Sequence, residues 1–252
     1  MGFLHEGHHS LMRAARQRCD VVIASIFVNP AQFGAGEDLG SYPRDLDRDT
    51  AGCEAAGVDL LWLPDAAALY PPGYSTWVDV QGVTQALCGG ARPGHFRGVT
   101  TIVNKLFNIV EPDAAFFGQK DYQQLRTIER MTVDLDLAIE IVGCPIVREP
   151  DGLALSSRNI YLSQEERAAA RCLRRGLDAA EVAFAAGVRD ARTLEAAAAE
   201  VIDAEPLAQL EYAEVRDAQD LAEVETADRP VVLAVAALLG PARLIDNQVL
   251  ST

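Results

Sequence analysis

Basic charge is in short supply in this sequence. Its 22 Lys+Arg face 37 Asp+Glu, a formal charge of -15 over 252 residues. A nucleic-acid polyanion, which demands a basic footprint, is therefore excluded as an expected partner, and any anionic ligand must meet a locally basic pocket. Lysine is scarcer still: Lys105 and Lys120 are the only lysines, and every other permanent side-chain cation is an arginine. No uninterrupted apolar run approaches the ~18 to 20 residues of a membrane span, and no basic, apolar, small-residue leader opens the chain. The expectation is a cytoplasmic protein that does not engage a membrane. Cys19, Cys53, Cys88, Cys144 and Cys172 are odd in number, widely spaced and without a C-x-x-C pair. That spacing argues against a disulfide framework and against a zinc site, so they are expected to be reduced and mostly buried.

What is present is an ordinary globular composition, 49% hydrophobic and 23% charged, in a chain long enough for two moderate domains. Up to about Val147, apolar runs (Val21–Val28, Asp59–Leu63, Ala114–Gly118, Ile139–Val147) alternate with helical stretches (Ser10–Arg18, Leu46–Ala56, Val99–Val110, Tyr122–Asp134). This alternation is the pattern of a parallel α/β sheet. Beyond Arg148, Ala/Glu/Arg-rich helices over Gln164–Ala186 and Ala191–Ala204 precede strand-like Leu210–Arg216 and Val231–Leu239. The reading is a Rossmann-like parallel sheet over 1–147 followed by a smaller α+β domain over 148–252. Between them, Pro150, Asp151 and Gly152 have turn chemistry suited to a hinge or lid.

The chain opens on His5-Glu6-Gly7-His8, an H-x-G-H turn entering a helix. Imidazoles three apart share one helical face, Gly7 has no Cβ to keep a phosphate from the backbone, and the helix start offers N–H groups. Together they can hold an anion, although four residues alone also fit an ordinary capped helix start. Lys120, within Gly118–Asp121 after an apolar strand, offers a mobile point charge. Arg158 offers a planar guanidinium with the Ser156 and Ser157 hydroxyls beside it. Read blandly, these are a solvated lysine and a loop cluster. Gln32 and Gln124 are carboxamides that, taken singly, read as surface residues. Asp45, Asp47 and Asp49 lack the glycine and distal glutamate of a Ca²⁺ loop and read as a solvated helix start.

Five stretches, in order, carry a resemblance: Met1–His8, Ser25–Phe33 (SIFVNPAQF) with Tyr42–Arg44, Arg92–Val99 (RPGHFRGV), Phe117–Gln124 (FGQKDYQQ) and Asp151–Asn159 (DGLALSSRN). Through most of residues 1–163 the chain resembles the pantothenate synthetase family, ligases of the coenzyme A pathway that join pantoate to β-alanine with ATP. The resemblance implies a pantoyl-adenylate intermediate, Mg²⁺ carried by the ATP phosphates with no protein-only metal cage, and a homodimer. It implies catalytic roles for His5, His8, Lys120, Ser156, Ser157 and Arg158. It further implies ATP contacts from Met1, His8, Gly118, Lys120, Asp121, Leu155, Ser156 and Arg158. Pantoate contacts are implied for Gln32, Gln124, Asn29, Arg92 and His95, and the Asp151–Asn159 stretch corresponds to a mobile element closing over the triphosphate.

The chain departs from the family pattern in one large respect. It begins inside the first motif, where members carry an opening strand and a Pro-Thr pair before the equivalents of Met1 and Gly2. A first, central strand is thus expected to be missing, and each buried ladder group left orphaned would cost about 1–3 kcal/mol. An alternative reading follows, a truncated relic of weak or no activity. A less favoured one is another H-x-G-H adenylyltransferase, which would not need Gln32, Gln124 or the Arg92–Val99 loop. His9 and Leu155 are minor departures, and Gly240–Asp246 matches the family's ending only loosely.

Overall fold

The apolar runs of the first half become short parallel strands. In the computed structural model, which describes residues 2–251, β1 (Ile23–Ser25) pairs with β2 (Leu60–Trp62), and β3 (Ala114–Gly118) with β4 (Glu140–Cys144), both in parallel register. Parallel neighbours require a long crossover. The chain supplies α2 (Leu46–Ala55) between the first pair and α6 (Tyr122–Asp134) between the second. Among the described residues each of these four strands has one strand neighbour, so the two pairs form separate ladders. The run expected as Val21–Val28 contributes three ladder residues, with further hydrogen bonds at its ends from Asp59 N–H to the Val22 carbonyl (2.9 Å) and from Ile26 N–H to the Trp62 carbonyl (3.1 Å).

Helices α1 (Glu6–Arg18), α3 (Ala66–Leu69), α4 (Leu87–Ala91) and α5 (His95–Val110) complete this part. Helix α5 starts earlier than its apolar pattern suggests, because Gly94 at φ +82° turns the chain into it. It ends at Glu111, ahead of Pro112, as a helix before proline should. One face of α5 buries Phe96, Val99, Ile102, Val103 and Phe107, and α6 buries Leu125, Ile128 and Met131. Both spacings are those of an amphipathic helix.

The second half is α+β, as expected. Helices α7 (Gln164–Ala169), α8 (Cys172–Ala185) and α9 (Ala191–Asp203) accompany an antiparallel sheet of β5 (Ala208–Asp217), β6 (Val231–Leu239) and β7 (Ala242–Leu250), with β6 in the centre. The single helix expected over Gln164–Ala186 is two, interrupted at Ala170 and Arg171. β6 is buried almost throughout, and its valines and leucines share a core with Leu173 and Leu177 of α8 and Leu194 and Ile202 of α9. β7 escaped the sequence reading because polar Asp246 and Asn247 interrupt its apolar residues. Both are buried, and Asp246 is tolerated because Arg148 forks onto its carboxylate with contacts of 2.6 and 2.9 Å.

The chain divides into two compact units. One takes in the residues up to Gln119 together with Gln123–Pro145; the other takes in Lys120–Tyr122 together with everything from Ile146 on. The short stretch Lys120–Tyr122 is tied to the second unit by the Tyr122 hydroxyl, which donates to the Ala218 carbonyl (2.7 Å), and by the Asn247 side-chain amide, which donates to the Lys120 carbonyl (2.9 Å). All five cysteines are free, and all but Cys19 are buried. Among the described residues no helix is long and apolar enough to cross a membrane.

Candidate active site

The segment leading into the H-x-G-H turn is held by α2. Gly2 (φ +119°) and Phe3 (φ +52°) both take left-handed backbone, which costs a side-chain-bearing residue about 1–2 kcal/mol. Asp49 offsets that cost: its two carboxylate oxygens accept from Phe3 N–H and Leu4 N–H, each at 2.6 Å. Arg48 adds a bond to the Leu4 carbonyl (2.6 Å) and lies 4.4 Å over the Phe3 ring. The acidic run read as a solvated helix start is therefore only partly so. Asp45 caps α2 and Asp47 is exposed, but Asp49 is 1% exposed. It continues the buried stripe of Cys53 and Ala56, four and seven residues on, a spacing that flags it as inward-facing.

From this anchored start, His5 becomes the N-cap of α1. Its Nδ1 accepts from Gly7 N–H (3.2 Å), and His8 Nδ1 accepts in return from His5 N–H (3.3 Å), a capping box built from two imidazoles with ring centroids 4.0 Å apart. With Nδ1 used as an acceptor, the neutral form of each ring carries its proton on Nε2 and presents an N–H donor. The pair thus supplies two donors at a helix N-terminus, which suits a phosphate. His9, unusual at its place, lies against Gly52 of α2, and its buried Nε2 has no hydrogen-bond partner among the described residues.

A second cluster forms where the chain leaves β1. Pro30–Gln32 make a 3-10 turn capped by Asn29. Helix α5 crosses it at Gly98, where any Cβ would overlap the Ala31 carbonyl and the Gln32 nitrogen; glycine is required there by this approach of two backbones. Asn29 donates to the Gly98 carbonyl and to Gln32 Oε1, both at 3.1 Å. His95 holds the same turn from the other side, its Nδ1–H bonding the Gln32 carbonyl at 2.8 Å. That leaves His95 Nε2 to accept from Arg92 (3.1 Å). Arg92 in turn forks onto Glu37 (2.8 and 2.6 Å). The Arg92 guanidinium holds the Glu37 carboxyl below its ordinary value, against an opposing push from partial burial. Phe33 packs edge-on against Tyr42, centroids 6.1 Å apart.

The structure therefore gathers Asn29, Gln32, Arg92 and His95, and pairs His5 with His8. Gly118 is the last residue of β3, and Gln124 is half-buried in the first turn of α6. In the second unit Lys120 and Asp121 lie in a 3-10 turn. There too Glu149–Gly152 close a hairpin turn with Gly152 at φ +93°, bringing Leu155 N–H to the Val147 carbonyl (3.0 Å). Ser156 caps the following 3-10 turn Ser157–Tyr161, accepting from Arg158 N–H at 3.2 Å, so Ser156, Ser157 and Arg158 share one turn. Met1 lies outside the described residues. Sequence reasoning missed Asp49, Arg48, Glu37 and Tyr70. Only Asp49 left a periodic signal; the others act on partners tens of residues away.

A parallel α/β unit whose first helix is capped by an H-x-G-H imidazole pair, followed by an α+β unit bearing a Ser-Ser-Arg turn, is the arrangement that the resemblance to the H-x-G-H class of enzymes leads one to expect. Similarity to known proteins narrows it. The family described as pantoate-beta-alanine ligase matches residues 1–249. Pantothenate synthetase of Heliobacterium modesticaldum is 56% identical over 249 residues, covering 99% of this chain and 89% of that protein. That of a Roseiflexus species is 57% identical over 250 residues, covering 99% and 90%. Among solved structures, pantothenate synthetase from Thermus thermophilus superposes with a TM-score of 0.95 at 45% identity, covering 98% of this chain and 90% of that one. Pantoate-beta-alanine ligase from Francisella tularensis, complexed with beta-gamma ATP and beta-alanine, superposes with a TM-score of 0.80 at 33% identity, covering 98% and 86%. The chain belongs to the pantoate-beta-alanine ligase family. Likeness spread over 99% of the chain, not confined to one motif, weighs against the reading as another H-x-G-H adenylyltransferase.

Two outcomes follow from this geometry. Asp49→Ala, which strands the buried Leu4 N–H and the part-buried Phe3 N–H, is expected to lower stability by about 2–4 kcal/mol. It should also speed hydrogen exchange at the Phe3 and Leu4 amides; unchanged exchange there would contradict the clamp. Glu37, with its folded pKa depressed, adds stability that is full above the ordinary value of 4.5 and is lost as pH falls through the lower folded value. Urea melts should accordingly show a gap between the protein and Glu37→Gln that is constant above about pH 5.5 and closes in acid. A gap independent of pH down to about pH 3 would rule this out.

Proposed function

We infer that this chain condenses pantoate with β-alanine in an AMP-forming ligation, releasing pyrophosphate. The observation that carries the reading is family membership across the chain together with the donor geometry at its first helix. In the first step a pantoate carboxylate oxygen attacks the α-phosphorus of ATP. The new O–P bond replaces the bond to the bridging oxygen, and pyrophosphate leaves with its electron pair. Charge that develops on the phosphates must be met by fixed donors in a dry site. Nε2–H of His5 and His8, the Lys120 ammonium, the Arg158 guanidinium and the Ser156 and Ser157 hydroxyls are the donors assigned to it. Gly118, Asp121 and Leu155 line the nucleotide. Mg²⁺ arrives with ATP, held by phosphate oxygens and water.

In the second step the β-alanine amine attacks the acyl carbon, a C–N bond replaces the C–O bond to AMP, and the amine loses its proton. An adenylate is a good leaving group, so positioning suffices and no protein nucleophile is assigned. Gln32 and Gln124 recognise the pantoate oxygens, while Arg92 and His95 shape the turn that carries Gln32. On this reading residues 1–147 bind ATP and pantoate and 148–252 serve as the lid domain of a cytoplasmic homodimer.

The test is pyrophosphate release from Mg-ATP. Release should require pantoate, and sustained AMP formation should require β-alanine as well. Lys120→Ala is expected to slow the first step by at least about 100-fold, the scale of a lost transition-state donor, with a melting temperature close to that of the unaltered protein. Pantoate-independent release, or unchanged turnover in Lys120→Ala, would overturn the assignment.

A further inference from the structure

Tyr70 belongs to none of the motifs above, yet its phenol reaches into the pantoate cluster. Its hydroxyl donates to Asn29 Oδ1 at 2.8 Å, the shortest of the contacts on that side chain. Asn29 Oδ1 also accepts from Ala31 N–H at 3.3 Å, while its Nδ2 serves the Gly98 carbonyl and Gln32 Oε1, both at 3.1 Å. A carboxamide has two donor hydrogens and two acceptor lone pairs, and all four of Asn29's are used within the protein. At 1% exposure it has nothing left to offer a ligand. What it transmits instead is a direction. Oδ1 faces Tyr70, so Nδ2 faces Gln32; Gln32 must answer with Oε1, which turns its own NH₂ the other way, as a hydrogen-bond donor.

Tyr70 is itself braced. Tyr74 meets its ring edge-on at 5.1 Å and Trp77 stacks on it at 6.1 Å. The ammonium of Lys105, one of the two lysines, lies 4.5 Å from the Tyr74 ring centroid and 5.8 Å from that of Tyr70. Lys105 sits two turns beyond Gly98 on α5, so a single helix braces both Tyr70 and the turn it serves. Burial, with the neighbouring Tyr74 phenol, pushes the Tyr70 hydroxyl up to about 12, so it stays a protonated donor throughout the neutral range.

We propose that Tyr70 is a positioning residue for acid recognition, fixing through Asn29 the Gln32 carboxamide with its NH₂ toward the pantoate oxygens. Asn29, expected from the sequence to touch substrate, then acts through Gln32. This inference rests on the reading that Gln32 binds pantoate.

Initial rates with pantoate varied at saturating Mg-ATP and β-alanine test it. Tyr70→Phe, which keeps the ring and its stacking, is expected to raise KM for pantoate about 3- to 10-fold, the worth of one net hydrogen bond. kcat and KM for ATP should stay within about twofold, inside the scatter of a change that leaves the chemical step alone. Gln32→Ala should raise the same KM further, and Tyr70→Phe added to Gln32→Ala should do nothing more, because the group it orients is gone. Asn29→Asp, which has no N–H to give Gln32, provides a second variant with the same expected loss should Tyr70→Phe fold poorly. A strong Gln32→Ala effect with an unchanged KM in Tyr70→Phe, or with fully additive losses in the double variant, would overturn the relay alone. An unchanged pantoate KM in Gln32→Ala would overturn the reading of Gln32 and the relay with it.

Discussion

A carboxylate gripping two successive backbone N–H groups is the contact on which the first helix depends. Asp49 holds Phe3 and Leu4, and by doing so keeps Phe3 in a conformation that a phenylalanine does not choose unaided. Only from that conformation does the chain arrive at His5 as an N-cap, with His8 closing the box. The imidazoles are therefore oriented by backbone they themselves satisfy, on a helix whose entry is fixed from α2. Electrostatic catalysis needs donors that do not have to reorganise, and a capping box is a rigid way to hold two.

The cluster around Gln32 follows the same logic with different parts. Here the constraint is the approach of α5 to the turn Pro30–Gln32, possible because Gly98 has no side chain. Asn29 bonds across that approach on one face, and His95 with Arg92 brace the Gln32 carbonyl on the other. Main chain and side chain of Gln32 are thus fixed separately. The strands contribute chiefly placement: β1 ends at Ser25, ahead of the Asn29-capped turn, and β3 ends at Gly118, where the turn Gln119–Asp121 begins, the edge at which parallel α/β sheets bind their ligands.

Much of this was legible in the residues. Helix α6 occupies the span its amphipathic period predicts, Tyr122–Asp134, and the four parallel strands lie inside the apolar runs expected to form them. The elements that escaped did so for physical reasons. β7 carries a buried aspartate whose countercharge, Arg148, lies 98 residues away in sequence, so its local pattern reads as too polar for a core strand. Asp49 reads from the sequence as a solvated acid because its partners are backbone amides, which leave no trace in composition. Tyr70 gave no signal at all, since its hydroxyl acts on a residue 41 positions earlier. The motifs named the candidate residues, while Asp49, Glu37 and Tyr70, whose side chains bond to them or to the backbone beside them, became visible only in three dimensions.

The central claim is that pantoate is activated by forming a bond from its own carboxylate to the α-phosphorus of ATP. Pantoate labelled with oxygen-18 in its carboxylate, turned over with Mg-ATP and β-alanine, tests this most directly. One labelled oxygen per turnover should appear in the phosphate of AMP, with the pyrophosphate unlabelled. Label in the pyrophosphate or its absence from AMP, with pantothenate still formed, would contradict an acyl adenylate.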